Sequence, residues 1–192
     1  LFFTAPTVAR ANTPAAEAKA WALLSKVPIQ TGGRIKPLQT FAQDSILSIY
    51  ERRSPRGELS AVPPLKVALM WLSDGATWSK KQLIYVGHNQ ARARLELDPA
   101  RNLFSPLELT HGTATKRESD AIGEKQTNQE KLTSADQAVL RSLNNIGLFQ
   151  SISTGTAWTM IPHGDTWLSL ADEQANKTGI PQLIAAILDN LL

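Results

Sequence analysis

The side chains that could carry chemistry in this chain are few and widely spaced. His88, His111 and His163 are its three histidines, and none stands in the HExxH spacing that sets two zinc ligands on one helix face. Each lies beside a glycine, in Gly87-His88, His111-Gly112 and His163-Gly164, which places them at turns or helix ends. A neutral imidazole can ligate haem iron, but an isolated histidine does not specify such a ligand, so none is assigned. Thr31-Gly32-Gly33-Arg34 has the glycine pair and the cation of an anion nest, without the GxxxxGK[ST] spacing of a phosphate loop. Pro162-His163-Gly164-Asp165 resembles a fragment of an oxyanion loop, and no G-x-S-x-G elbow accompanies it. Asp172 and Glu173 are adjacent, so on a helix their side chains diverge by roughly 100° and make no acid–base pair. Cysteine is absent, which removes disulfides, thiolate metal sites, Cys nucleophiles and covalent haem attachment. The expectation is that this chain holds no catalytic, metal-binding or cofactor-binding residue of its own.

The elements that would have to position these residues are mostly helical. The chain has 192 residues, 42% of them hydrophobic and 19% charged, the composition of a folded domain with one core or two small lobes. Its formal net charge of +3 is small. The doublets Arg52-Arg53 and Lys80-Lys81 are each too short to track a phosphate backbone, and the aromatic residues do not interleave with basic ones, so nucleic acid is excluded as a partner. No run approaches the ~18 apolar residues of a membrane span. Leu1-Phe2-Phe3-Thr4-Ala5-Pro6 followed by Ala9-Arg10-Ala11 has the pattern of an apolar export segment running into a small-x-small site. Residues 1–14 are therefore expected to be a signal or anchor remnant with its linker. Residues 15–178 form the helical domain, and residues 179–192 an amphipathic helix leading toward a C-terminal membrane region.

Within the domain, residues 15–26 are Ala-rich and favour helix. Pro37 suits a first helical turn, followed by Leu38, Ala42, Ile46, Ile49 and Tyr50 on one face. Pro63-Pro64 introduces residues 65–72, apolar almost all round, as a buried helix. Residues 83–86 are an apolar tetrad that periodicity leaves open between strand and helix. Residues 90–97 read as helix, stopped by Asp98-Pro99. Ser105-Pro106-Leu107-Glu108 has the form of a capping box with proline at the first helical position. Residues 113–131 are polar, either a solvated helix or a mobile loop. Leu132, Ala135, Val139, Leu143, Ile146 and Phe149 then make the clearest amphipathic stripe. Residues 151–155 read as a linker, residues 158–161 as a short extended segment, and Asp165 as the N-cap of a helix carrying Trp167, Leu168 and Leu170. The fold expected is mainly α, an irregular multi-helix globular domain with little or no short β-strand.

The most distinctive segment is Val27-Pro28-Ile29-Gln30-Thr31-Gly32-Gly33-Arg34-Ile35-Lys36-Pro37-Leu38-Gln39-Thr40-Phe41-Ala42. It resembles a signature of the extracytoplasmic region that precedes the membrane helices in bacterial CcsA/ResC-type (system II) cytochrome c assembly proteins, with Pro28, Gln30, Gly33, Arg34, Lys36, Pro37 and Thr40 at its characteristic positions. Three later stretches fit in order: Met70-Trp71-Leu72 with Trp78 and residues 83–86; residues 103–109 with Ser105 and Pro106; and Met160-Ile161-Pro162 with Trp167-Leu168-Ser169. The resemblance covers residues 21–170. It implies a parent membrane protein that carries haem across the membrane and presents it to the Cys-x-x-Cys-His motif of apocytochrome c, together with a ResB/CcsB-type partner.

The haem-handling part of that family is a tryptophan-rich segment with flanking histidines. Trp158 and Trp167 stand apart and do not form it, so no haem ligand carries over to His88, His111 or His163. The expectation is an accessory domain at the periplasmic face of the inner membrane. It would support haem delivery without holding the catalytic site, with haem belonging to the parent protein. The alternative is a helical protein–protein scaffold at the cell envelope unrelated to haem. Within the signature, Gly32-Gly33 permits a turn with φ > 0, and Arg34 would serve as an internal clasp of that corner or, less simply, contact a partner.

Overall fold

The computed structural model describes residues 14–191, and its architecture follows from where apolar stripes, prolines and glycines fall. Helix α1 (Pro14–Leu24) leads into a hairpin of β1 (Pro28–Thr31) and β2 (Arg34–Pro37). The turn is the glycine pair, with φ of 57° at Gly32 and 73° at Gly33, the two-residue geometry that matches strand twist and that glycine enters without steric cost. Pro37 is the last strand residue and the N-cap of α2 (Leu38–Tyr50) rather than its first helical residue. The buried face of α2 is Leu38, Phe41, Ala42, Ser45, Ile46, Ile49 and Tyr50.

A 3-10 turn (Gly57–Leu59) separates α2 from α3 (Pro64–Ser73), whose Pro64 occupies the first helical turn. Helix α3 is the central helix expected from its all-round apolarity, with Leu65, Val67, Ala68, Leu69 and Trp71 buried. After α4 (Gly75–Trp78), the open tetrad resolves as a strand, β3 (Ile84–Tyr85), pairing antiparallel with β4 (Leu103–Phe104) across α5 (Asn89–Arg94). Strand wins over helix here because Leu83 and Val86 also donate to the carbonyls of Phe104 and Asn102 (3.1 and 2.9 Å). Both ends of the tetrad thus gain a backbone partner from outside the segment.

Helix α6 (Pro106–His111) is capped as expected by Ser105 Oγ, which accepts from the Glu108 amide at 3.0 Å. The reciprocal half of the box is missing, because the Glu108 carboxylate accepts instead from Arg101 Nη2 at 2.6 Å. The complete box belongs to α8 (Ser134–Ser153), where Thr133 and Asp136 cap each other. An aspartate in place of the usual glutamate hid it in the sequence. Residues 113–131, read as helix or loop, contain the fifteen-residue helix α7 (Thr113–Thr127), with Ala114, Thr115, Glu118 and Ile122 buried along one face. The expected linker at residues 151–155 is instead the end of α8, which runs to Ser153 before Gly155 turns at φ 85°.

The helix predicted to start at Asp165 is a strand. β5 (Thr159–His163) and β6 (Thr166–Ser169) form a hairpin in which Pro162 faces Trp167 and His163 faces Thr166. Gly164 at φ 56° takes the first of the two turn positions, and that chemistry overrides the capping tendency of Asp165. Helices α9 (Glu173–Asn176) and α10 (Ile180–Leu191) complete the described chain.

The molecule is thus mainly α, with three two-stranded antiparallel ladders among the described residues. Its core lies where α2, α3 and α8 meet. Trp71 packs edge-on to Phe149 at 5.6 Å between ring centroids and lies 6.4 Å from Tyr50, while Phe41 meets Trp158 at 5.6 Å. The Trp158 indole N–H is satisfied by the Ile152 carbonyl at 2.9 Å, so this large ring is buried without a polar penalty. The Tyr50 hydroxyl has no such partner, and burial, with Glu58 adding to it, pushes its pKa well above the usual phenol value. Helix α10 lays Ile180, Ile184 and Ile187 against the core. No helix among the described residues is long and apolar enough to cross a membrane. The export-like segment falls on residues 1–13, outside the described residues.

Candidate functional site

The signature positions divide by environment. Trp71 is fully buried in α3, and Ser105 and Pro106 are buried at the start of α6; their roles are packing and capping. The β1–β2 hairpin is different. Ile29 is fully buried and anchors it, while Pro28, Gly33, Arg34 and Pro37 are exposed and Gln30, Lys36 and Thr40 are half-buried. In β1 the exposed Pro28 and the buried Ile29 point to opposite faces, as neighbouring residues of a strand do. Lys36 Nζ reaches across to Asp44 on α2 at 2.7 Å. That pair ties the hairpin to the helix it launches.

Arg34 is not the internal clasp expected of it. Its side chain is exposed, and among the described residues it makes no hydrogen bond or ion pair. At Thr31↔Arg34 the two residues flank the tight turn, so the guanidinium stands at the hairpin tip with no acceptor in reach. Ile35 beside it is 61% exposed, an uncommon state for a large β-branched residue next to a free cation.

The fold brings the first and last signature segments together. β1 lies against β5, so residues 28–31 meet residues 159–163 across about two thirds of the length of the chain. Between them is a cleft of about 410 Å³ whose rim is the hairpin tip, Gln30 to Gly33, and whose wall includes Phe41, Leu148 and Thr159. Pro162 is exposed and Trp167 half-buried on the second hairpin.

Potential ligands of other kinds do not converge. His88 caps α5, its Nδ1 accepting from the Ala91 amide at 3.4 Å, and borders only a crevice of about 10 Å³. His111 ends α6 and His163 ends β5, both exposed. The three histidines stand on three separate elements, one of them used as a cap, and do not converge on an axial haem site. Among the described residues no group of three metal-ligating side chains assembles. Asp172 Oδ2 accepts from the Ser169 amide and hydroxyl at 2.5 and 2.9 Å, closing the corner between β6 and α9.

One polar cluster went unread in the sequence. Arg94 of α5 donates from Nε to Glu118 of α7 at 2.8 Å and from Nη1 to Asp136 of α8 at 2.7 Å. Lys125 Nζ holds both Asp136 oxygens at 3.0 Å. The Asp136 side chain is fully buried. The Arg94 hydrogen bond, then those of Thr133 and Lys125, hold its carboxyl well below the usual carboxylate range. Arg94 is in turn pushed upward by its bonds to Asp136 and Glu118. The cluster clamps three helices, α5, α7 and α8, to one another. Its only trace in the sequence is a polar residue, Glu118, on the buried stripe Ala114-Thr115-Ile122, and the Thr133-x-x-Asp136 cap.

Neither a scan of protein-family models nor a search of curated proteins finds a match to this chain.

Proposed function

We propose that the chain is an extracytoplasmic accessory domain of a CcsA/ResC-type cytochrome c assembly protein. In this role it supports haem delivery to apocytochrome c by docking a protein partner rather than by holding haem. One observation carries the reading: the first and last segments of the family-like signature meet in space beside a cleft, and the hairpin that borders it presents a free arginine and an exposed isoleucine. A purely structural motif would bury Arg34 or pair it. Here the rigid parts of the motif, Ile29, the glycine turn and the Lys36–Asp44 pair, hold two side chains that do nothing for the fold. Exposed Arg beside an apolar residue is the composition of a protein interface. A ResB/CcsB-type protein, apocytochrome c or the parent's own membrane part is the partner implied, at the periplasmic face of the inner membrane.

The test is to place Arg34→Glu together with Ile35→Ser in the parent gene, in cells whose c-type cytochromes depend on it. Haem-stained cytochrome c is expected to fall several-fold. The purified chain should keep its stability within about 0.5 kcal/mol, as befits exposed positions. Undiminished cytochrome c at normal levels of the parent protein would refute the docking role. The alternative, an envelope scaffold unrelated to haem, requires that cytochrome c survive deletion of the whole gene.

A further inference from the structure

A second cleft, remote in sequence from the signature, gathers cations that look unrelated along the chain. It measures about 530 Å³ and is lined by Arg52, Arg56, Tyr85, Arg101 and Asn102 among others, with no acidic residue in its lining. Lys80 and Lys81 border an adjoining depression that shares Gly57, Gln82 and Leu103 with it. Arg52 of the first basic doublet and the second doublet therefore border neighbouring depressions, with Glu58 also lining the second and pairing with Lys81 at 3.4 Å.

The cleft is built to donate. Arg56 stacks over the Tyr85 ring at 4.0 Å and fixes its Nε on the Tyr50 carbonyl at 3.0 Å, leaving both terminal nitrogens without a protein acceptor. Arg52 bonds only the neutral Ser54 hydroxyl. Beneath the cleft, Arg92 is 92% buried, its relative exposure being 8%, and is held by carbonyls and amide oxygens alone. Its Nη1 donates to Val86 O, Gly87 O and Asn102 Oδ1 at 2.9, 3.1 and 2.7 Å, and its Nε has no partner. Among the described residues, none of Arg52, Arg56 and Arg92 has a carboxylate in ion-pair range; Arg101 is matched by Asp98 and Glu108. Arg52 and Arg56 in the lining, with Arg92 behind Asn102, thus leave the cleft with uncompensated positive charge. Arg92 also fixes the Asn102 amide: with Oδ1 turned inward to accept, Nδ2 is left as a further donor.

We infer that this cleft binds the phosphoryl group of a phosphate monoester. A buried arginine with no counter-ion is costly unless another charge approaches it. Donors from three chain segments outnumber what the two oxygens of a carboxylate can occupy. They suit the three terminal oxygens and nearly double charge of a phosphomonoester. The volume exceeds that of a bare ion, and Tyr85, Pro55 and Leu103 offer apolar surface to an organic body. A soluble phosphoester and the headgroup of phosphatidic acid share this chemistry.

Titration of the full chain with glycerol 3-phosphate by calorimetry, and co-sedimentation with phosphatidylcholine vesicles with and without phosphatidic acid, separate these sources. Saturable binding to either probe is expected. Asn102→Asp decides the site, because the new carboxylate still accepts from Arg92, and now neutralises it, while replacing the outward donor with a repelling oxygen. Its melting temperature should hold or rise while affinity falls about tenfold or more, the worth of one charge-assisted hydrogen bond. Arg56→Gln should do the same to affinity, and the exposed Lys131→Gln should leave it within about twofold. Absence of binding by the wild-type chain, unaltered binding by a folded Asn102→Asp chain, or an equal loss in Lys131→Gln would overturn the inference. The outcome is independent of the docking role assigned to Arg34.

Discussion

Asp136 shows how one side chain can set the acid limit of a fold. Its pKa is depressed in the folded chain, so its contribution is present in full above the unfolded value of about 3.9. It is lost as pH falls from there toward the folded value, because the unfolded chain then binds a proton that the folded one resists. Replacing Asp136 by Asn is expected to lower stability at pH 7 and to flatten the decline of stability below about pH 4, as read by urea unfolding across that range. An unchanged acid slope would mean that the clamp does not carry the acid sensitivity. Glycines make a second residue-scale contrast. Gly33 has open space around its absent Cβ but a φ of 73°, so Gly33→Ala should cost about 1–2 kcal/mol through backbone strain alone. Gly147, in mid-α8 with equally open space and an ordinary helical φ, should gain about 0.5–1 kcal/mol as alanine. Urea midpoints of the two variants moving in the same direction would contradict this account.

At the scale of elements, α3 is the piece on which the others lean. Trp71 touches the rings of both Tyr50 and Phe149, so Trp71→Ala should lose about 3–5 kcal/mol, with a clear loss of near-ultraviolet circular dichroism. Trp71→Phe should recover most of it, because the Trp71 indole N–H has no partner to lose. A Phe variant as unstable as the Ala variant would show that ring volume is not what matters. The helical stripes of α2 and α8 and the all-round apolarity of α3 were legible in the sequence because burial alone dictates them. The hairpins were legible only in pieces, the φ > 0 turn at Gly32-Gly33 and the extended start of β5, because their strands span only four or five residues and the turn at Gly164 competes with the capping tendency of Asp165. Helix α7 was ambiguous for a different reason. Its buried face carries Glu118, and a charge on an apolar stripe becomes intelligible only once Arg94 is placed opposite it.

For the whole molecule, the boundary expected near residue 178 can be tested directly. α10 buries Ile180, Ile184 and Ile187 only in part, so a chain ending at Thr178 should still unfold cooperatively and lose about 2–4 kcal/mol. Loss of cooperative unfolding would show that α10 belongs to the core. The candidate sites were the least legible feature. Arg34 was visible but its exposure was not, and the arginine cleft is assembled from residues 52–56, 85 and 101–102, with Arg92 beneath it, none of which forms a motif alone. The hairpin that presents Arg34 has one further property. β2 has a hydrogen-bonded neighbour on one side only, and a bare strand edge invites a second copy to add itself and start a stack. On this edge Pro37 lacks an N–H to offer, Lys36 carries a charge held in place by Asp44, and Arg34 adds another. The residues on which the proposed docking role rests thus also make this edge repellent to its own kind, so an exposed strand does not become the seed of self-aggregation.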